Sequence, residues 1–125
     1  MILQLATLLL VPSTEAEIQV RRDIPYWKGD EKHPTKNKLD LYLPTKARGF
    51  PVLFFVHGGA WMHGDKNFLG VYSSLGKSFA SQGVGVVVTN YRLSPAGWSA
   101  AHDAIAALRP TATTGTPSTH VVCCD

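Results

Sequence analysis

Five consecutive residues, His57 to Trp61 (His-Gly-Gly-Ala-Trp), form the segment of the sequence best suited to chemistry. They follow a strongly apolar stretch and precede a segment with helical spacing. Adjacent glycines let the backbone turn sharply and approach a ligand closely. The N–H groups of such a turn can donate to an oxygen that becomes negatively charged during acyl transfer, at donor distances of about 2.7–3.1 Å. The pattern therefore predicts an oxyanion-binding loop, against the alternative of a glycine turn that only links a strand to a helix.

The nucleophile that such a loop commonly serves is a serine in a Gly-x-Ser-x-Gly turn, followed along the chain by an acid and a histidine. No serine of this sequence stands in that pattern. The nearest matches, residues 76–80 and 97–101, each lack the second glycine. Ser78 falls inside a predicted helix, and Ser99 follows a proline-containing loop rather than a strand. We therefore predict no catalytic triad within this sequence.

Hydrophobic periodicity predicts the elements that position the glycine loop. Residues 52–56 and 84–89 are continuous apolar runs, which are typical of strands buried on both faces of a parallel sheet. Residues 17–26 and 39–43 alternate apolar and polar side chains, which predicts half-exposed strands. Apolar residues at helical spacing predict helices over residues 67–82, ended by Gly83, and over 98–108.

The order strand, strand, strand, helix, strand, helix predicts an α/β fold. The helix over 67–82 can join its two flanking strands as a parallel pair with a right-handed crossover. We therefore expect a mostly parallel sheet preceded by an antiparallel N-terminal hairpin.

Length and composition exclude several other classes of protein. The 125 residues suit one domain at most. A content of 45% hydrophobic and 17% charged residues excludes a disordered tail, a collagen-like chain and a coiled coil. The net charge of +3 is small and scattered, so no nucleic-acid partner is expected. The two adjacent cysteines, Cys123 and Cys124, fit neither a disulfide framework nor a zinc site. Asp65, near His63, is expected to cap a helix or a turn and not to bind a metal.

The sequence resembles the N-terminal half of an α/β-hydrolase of the esterase/lipase group. It is most similar to the subgroup with a His-Gly-Gly-x-Trp motif, which includes bacterial carboxylesterases, feruloyl-esterase-like proteins and kynurenine formamidases (arylformamidases). The resemblance implies a serine hydrolase of small-molecule esters that needs no cofactor and no metal. It covers about residues 20–108, and the matching stretches are residues 39–44 (LDLYLP), 57–61 with 64–66 (GDK), 90–95 (NYRLSP) and Asp103.

The resemblance also implies a role for each residue of the glycine loop. The backbone N–H groups of Gly59 and Ala60 would form the oxyanion hole, and Gly58 would shape the turn. His57 would brace the loop through hydrogen bonds of its side chain, without serving as the catalytic base. Trp61 would line the acyl pocket or cap the loop by packing.

Two further roles follow from the resemblance outside the glycine loop. Arg92 and Asp103 would form a structural ion pair that ties the loop after the fourth strand to the next helix. Tyr91 would pack near the floor of the active site.

The first 16 residues contain an apolar run, Ile2–Val11, of the length found in secretory signals. The run is too short to span a bilayer, which takes about 20 residues. No Lys or Arg precedes it, so an N-terminal strand or a packed helix fits as well. A signal over residues 1–16 would direct the protein to the periplasm or the exterior, and its absence would leave the protein cytoplasmic.

The last 17 residues, 109–125, change abruptly to a composition rich in threonine and proline. This composition predicts a linker or disorder. The chain is thus expected to comprise residues 1–16, an incomplete hydrolase domain over 17–108, and an aberrant tail. In the family the nucleophile strand comes soon after the helix that ends near Leu108, so the tail also fits a frameshift product. An open continuation in another frame of the coding DNA would encode the missing strand.

Three functions are compatible with these features. The first is a carboxylic ester hydrolase, to which this chain contributes the oxyanion loop and no nucleophile. The second is an amide hydrolase of the arylformamidase type, which needs the same loop. The third is a catalytically inactive fragment or binding protein of the same fold. In each case we expect the 125 residues alone to be inactive as an esterase.

Overall fold

A computed structural model describes residues 16–29, 31–93, 103, 106 and 119–123 of the chain. The predicted signal segment therefore lies outside the described residues, apart from Ala16. So does most of the predicted helix over 98–108, in which Asp103 and Ala106 are helical. The elements in chain order are β1 (Ile18–Pro25), β2 (Lys38–Pro44), β3 (Val52–Val56), a 3-10 turn (Phe68–Gly70), α1 (Val71–Ser81), β4 (Gly85–Thr89) and β5 (Thr119–Cys123).

The five described strands form one sheet in the order β1-β2-β4-β3-β5. β3 lies between β4 and β5 and is parallel to both. The β1–β2 and β2–β4 pairs are antiparallel. The α/β class, the antiparallel N-terminal hairpin and the parallel β3–β4 pair are thus confirmed. Four of the five described strands, β1, β3, β4 and β5, run in the same direction and only β2 is opposed, so two strand pairs are parallel and two are antiparallel.

The core lies on both faces of the sheet because side chains alternate along the buried strands. Phe54 and Val87 belong to the cluster on one face. Phe55, Val86 and Val88 belong to the cluster on the other face, which α1 covers. Gly76 lets α1 approach this face closely: a Cβ atom there would lie 2.4 Å from the ring of Tyr42 on β2.

The helix that follows the glycine loop begins later than predicted. α1 starts at Val71, after a left-handed residue at Gly70. Leu69 also has a positive φ of 45° and is 84% exposed, so it does not belong to the apolar face of the helix. The prediction of a helix from residue 67 was wrong at this end, because the 3-10 turn directs Phe68 and Leu69 toward solvent.

The tail contains a strand that the sequence analysis did not predict. Thr119–Cys123 runs parallel to β3, with Cys123 opposite Val56. The prediction of a linker or disorder over 109–125 was therefore wrong for these five residues. The strand stands where the resemblance places the nucleophile strand, next along the chain after the predicted helix over 98–108.

One edge of the sheet gathers the loops that matter for function. The carboxyl ends of β3, β4 and β5 lie at this edge because the three strands are parallel. The amino end of β2 lies there too, since β2 is antiparallel to β4, and the N–H of Asn90 donates to the carbonyl of Lys38 at 3.0 Å. The glycine loop after β3, the loop after β4 and the loop before β2 therefore meet.

Within the described part of the chain, no helix has the length and apolar character required to cross a membrane.

Candidate functional site

The glycine loop leaves β3 in an unusual backbone conformation. Gly59, Ala60 and Trp61 have successive positive φ angles of 122°, 51° and 63°. A non-glycine residue in this region costs on the order of 1–3 kcal/mol, and such residues cluster at functional sites. Gly59 also admits no side chain, because a Cβ atom there would lie 2.3 Å from the carbonyl oxygen of His63. Backbone turns of this kind present N–H groups to anions.

Three hydrogen bonds orient the two peptide groups that carry the predicted oxyanion donors. His57 Nδ1 lies 2.9 Å from the carbonyl oxygen of Gly58. The carbonyl oxygen of Gly59 accepts from the N–H groups of both Met62 and His63, each at 3.0 Å. A trans peptide directs its carbonyl and the following N–H in opposite directions. The N–H groups of Gly59 and Ala60 therefore point away from these bonds, and neither donates to another described residue.

The imidazole of His57 is held in one tautomer. A carbonyl oxygen only accepts, so Nδ1 must carry the proton in the bond to Gly58. Nε2 is buried and has no hydrogen-bond partner among the described residues. Burial lowers the pKa of His57 from its ordinary value of 6.5. The side chain is thus neutral at pH 7, and its hydrogen bond to the Gly58 carbonyl is of the kind that the predicted bracing role requires.

Tyr91 packs on this imidazole, and Trp61 packs on Tyr91. The Tyr91 hydroxyl donates to the carbonyl oxygen of His57 at 2.8 Å, and the two rings stack with centroids 4.3 Å apart. Trp61 meets the Tyr91 ring edge-on at 5.2 Å and is 43% exposed. Tyr91 therefore contacts both ends of the loop, His57 through its hydroxyl and ring and Trp61 through its ring. The acyl-pocket role of Trp61 stays a prediction.

An apolar cavity of about 420 Å³ has no residue of this loop in its lining. Its lining includes Pro51 and Val84, which precede β3 and β4 at the opposite edge of the sheet, and Phe79 of α1. The cavity therefore does not correspond to the predicted acyl pocket.

Arg92 and Asp103 form an ion pair in the structure. Arg92 Nε and Nη2 donate to the two carboxylate oxygens of Asp103 at 2.8 and 2.7 Å, and the Arg92 N–H donates at 3.1 Å. The Asp103 side chain is 3% exposed, and the guanidinium lies 4.6 Å from the Trp27 ring centroid. The pair joins the loop after β4 to the helical turn of Asp103, which is the structural arrangement that the resemblance implied.

The fold and the loop geometry match a known family. The model of the family described as BD-FAE matches residues 39–109, which is more than half of the chain. The chain belongs to the BD-FAE family. This is a family of α/β-hydrolase-fold esterases, and the chain corresponds to the N-terminal half of the fold, so the predicted resemblance is confirmed.

Individual relatives are also esterases by name. Isoprenylcysteine alpha-carbonyl methylesterase of Arabidopsis thaliana is 44% identical over 80 residues, which is 63% of this chain and 17% of that protein. Gut esterase 1 of Caenorhabditis elegans is 44% identical over 55 residues, covering 44% of this chain and 10% of that protein. Esterase B of Lactobacillus rhamnosis superimposes with a TM-score of 0.66 at 25% identity, over 87% of this chain and 35% of that chain. The BD-FAE chain thus spans well under half the length of these relatives.

A partly buried polar network in this BD-FAE chain holds the segment that follows the glycine loop, residues 64–66. Asn90, at the end of β4, accepts from the Lys66 N–H at 2.7 Å and donates to Asp65 Oδ2 at 3.0 Å. Lys36, from the loop before β2, donates to the Gly64 carbonyl at 2.8 Å and to Asp65 Oδ2 at 2.9 Å. Sequence reasoning included Asp65, Lys66 and Asn90 in family motifs without assigning them a network, and it missed Lys36 entirely.

Asp65 is a turn residue, one of the two alternatives predicted. Its Oδ1 accepts from the Asn67 N–H at 2.9 Å, and its carbonyl accepts from the Phe68 N–H at 3.1 Å. Partial burial opposes the charged form, but hydrogen bonds from Lys36 and the Asn67 N–H lower the pKa of Asp65 below its ordinary value of 3.8. No group of three His, Cys, Asp or Glu side chains that could hold a metal ion occurs among the described residues.

Proposed function

We propose that this chain supplies the oxyanion-binding part of a carboxylic ester hydrolase, and that its glycine loop binds the oxyanion of the tetrahedral intermediate. The observation that carries the proposal is the orientation of two adjacent peptide groups by the His57–Gly58 and Gly59–His63 hydrogen bonds. Each bond turns the following N–H, that of Gly59 or of Ala60, away from the bonded carbonyl, and neither N–H donates to another described residue. Donors fixed before the reaction cost no reorganisation when charge develops.

In the proposed reaction a nucleophile adds to the ester carbonyl carbon, and the π electrons of the carbonyl move onto its oxygen. The N–H groups of Gly59 and Ala60 then donate to that negatively charged oxygen. Loss of one such donor in an acyl-transfer enzyme costs about 10²–10³-fold in rate. The loop is thus suited to the transition state and not to the planar ester, which is what catalysis requires.

The 125 residues contain no Gly-x-Ser-x-Gly turn. We therefore propose that the chain by itself binds the oxyanion without turning over an ester. Hydrolysis of p-nitrophenyl acetate that is blocked by a serine-directed phosphonate would contradict this part of the proposal.

Esters are favoured over amides as the substrate class because the similar proteins are named as esterases, including a methylesterase. The same loop would serve amide hydrolysis of the arylformamidase type. The geometry of the loop does not favour that alternative.

Binding of a tetrahedral anion tests the proposal directly. The ¹⁵N-labelled full chain is titrated with the monoanion of ethyl methylphosphonate, and amide signals are followed by NMR. We expect the signals of Gly59 and Ala60 to move most. The variant Gly59→Ala, whose Cβ would lie 2.3 Å from the His63 carbonyl, should bind at least about tenfold more weakly.

Gly49→Ala is the matched control for this titration. Gly49 also has a positive φ, of 63°, but a Cβ atom there meets nothing within 4 Å. Both variants thus carry the backbone strain, and only Gly59→Ala disturbs the loop. Equal binding by the two variants would contradict the oxyanion role.

Ethyl acetate in place of the phosphonate separates hydrolase from binding protein. An ester hydrolase loop should prefer the tetrahedral anion. Tighter binding of the planar neutral ester would favour an inactive binding protein of the same fold.

A further inference from the structure

Lys36 reaches the glycine loop from a distant part of the sequence. It lies in the loop before β2, yet its ammonium donates to the Gly64 carbonyl at 2.8 Å and to Asp65 Oδ2 at 2.9 Å. The Lys36 side chain is 15% exposed and that of Asp65 is 36% exposed, so the two bonds are partly shielded from water. A charged donor in such a setting forms stronger hydrogen bonds than a neutral one.

The sheet topology brings Lys36 to this place. β2 runs antiparallel to β4, so the residues before β2 lie beside the residues after β4. The Tyr26 hydroxyl lies 2.6 Å from the Asn90 carbonyl oxygen and 3.2 Å from the Lys36 carbonyl oxygen, which joins the two segments. The Asn90 side chain also donates to the Thr35 carbonyl at 3.2 Å. The backbone that carries Lys36 is therefore anchored by contacts that do not involve the Lys36 side chain.

Gly64, which Lys36 holds, packs directly on the bond that orients the oxyanion donors. A Cβ atom at Gly64 would lie 2.4 Å from His57 Nδ1 and 2.6 Å from the Gly58 carbonyl oxygen. These are the two atoms of the hydrogen bond that sets the direction of the Gly59 N–H. A shift of Gly64 would therefore disturb this bond.

We propose that Lys36 is a positioning residue for the oxyanion loop, which it holds closed by clamping Gly64 and Asp65 against His57. This inference rests on the proposed function, because it assigns Lys36 a part in the same site. The lysine touches no substrate in this account. It acts through Gly64 and His57 on the direction of the Gly59 N–H.

Amide hydrogen exchange of the full chain tests the clamp without any ligand. The N–H groups of Met62 and His63 close the loop onto the Gly59 carbonyl, and the N–H of Val87 in β4 reports on the whole fold. In Lys36→Met, which keeps the length but removes the donors, we expect exchange at Met62 and His63 to accelerate by about tenfold or more. Exchange at Val87 should change much less.

Two variants make the comparison specific. Lys36→Arg retains a cationic donor and should restore most of the protection at Met62 and His63. Lys32→Met removes an equal charge from an exposed position of the same loop and should leave exchange unchanged. The ¹⁵N shifts of the His57 imidazole give a second readout. Lys36→Met should lower the population of the tautomer that carries its proton on Nδ1, and Lys32→Met should not.

The outcomes separate this proposal from the proposed function. Unchanged exchange at Met62 and His63 in Lys36→Met, or equal acceleration at Val87, overturns the clamp. So does a failure of Lys36→Arg to restore protection. The oxyanion role is tested separately, by the phosphonate titration of the unaltered chain. If the exchange data support the clamp but the chain binds no phosphonate, the proposed function is refuted and the role of Lys36 in positioning the loop is retained.

Discussion

Removal of Lys66 should destabilise the protein strongly, because this lysine is the centre of a buried charge cluster. Its ammonium lies 2.8 Å from Asp40 Oδ1 and 2.9 Å from Asp23 Oδ1. The side chains of Lys66 and Asp40 are 2% and 1% exposed, whereas Asp23 is 58% exposed. In Lys66→Met the carboxylate of Asp40 stays buried and loses its nearest cation.

The size of the effect follows from that burial. Loss of one partner of a buried ion pair costs about 3–5 kcal/mol, because the remaining charge is uncompensated. The Arg22 guanidinium, 3.6 Å from Asp40 Oδ2 and 45% exposed, still offers partial compensation. We therefore expect the lower end of the range, about 3 kcal/mol, for Lys66→Met. This is a large part of the roughly 5–15 kcal/mol that stabilises an ordinary domain.

A double-variant cycle measured by urea denaturation isolates the pair. Asp40→Asn removes the charge that Lys66→Met leaves behind, so the double variant should be less unstable than the sum of the single variants. We expect a coupling free energy of about 2 kcal/mol. Lys77→Met, at an exposed position of α1, is the control and should change stability by less than about 0.5 kcal/mol. A cost below 1 kcal/mol for Lys66→Met, or additive single effects, would refute the reasoning.

The pH dependence of this cluster has a definite sign. Burial opposes the charged form of Lys66, but hydrogen bonds to Asp40 and Asp23 outweigh it and raise the pKa above its ordinary value of 10.5. A raised folded-state pKa means that the stabilisation is fully present below pH 10.5 and is lost as the pH rises through the folded value. In Lys66→Met this alkaline loss should be absent.

Two further predictions concern the helix and the imidazole. Helix propensity alone would make Gly76→Ala stabilising. We expect it instead to destabilise the protein by about 1–3 kcal/mol in urea denaturation, because the new Cβ would lie 2.4 Å from the Tyr42 ring. A gain in stability would show that α1 is not packed this closely. The lowered pKa of His57 means that its stabilisation is complete above pH 6.5 and declines as the pH falls from there toward the folded value. Denaturation midpoints between pH 7 and 5 should show this decline in the native chain and in His63→Gln but not in His57→Gln, and an equal decline in both variants would contradict the assignment.

The sequence predicts the strands well where the local pattern matches the burial that the sheet imposes. The run over Val52–Val56 is apolar throughout, and the strand it predicts has those bounds in the structure. The alternating segment of β2 is also placed to within one residue at each end. In both strands, the order of apolar and polar residues along the sequence already indicates which face of the sheet each side chain lies on and whether that face is buried.

Other elements depend on partners that local sequence does not reveal. Thr119–Cys123 lies in a polar, threonine-rich region and becomes a strand because β3 supplies its hydrogen-bond partners. The start of α1 is set by the left-handed Gly70, which breaks a helical spacing that would otherwise extend further back. Neither feature follows from periodicity.

The candidate site also contains one feature that the sequence predicts, the glycine loop, and one that it does not, Lys36. The glycine loop is visible in the sequence because close backbone turns require glycine, as at Gly59. Lys36 is not visible, since it lies 28 residues from Gly64 in a polar loop where lysine is common. Only the antiparallel pairing of β2 with β4 brings the two together.

A crystal structure of the full chain with the ethyl methylphosphonate anion is the most direct test of oxyanion binding by the glycine loop. We expect one phosphonate oxygen about 2.7–3.1 Å from the backbone nitrogens of both Gly59 and Ala60. We also expect the bond between His57 Nδ1 and the Gly58 carbonyl to be unchanged from its present 2.9 Å. An anion bound elsewhere, or a loop in which the Gly58–Gly59 peptide turns the other way, would contradict the claim that this loop is built to hold an oxyanion.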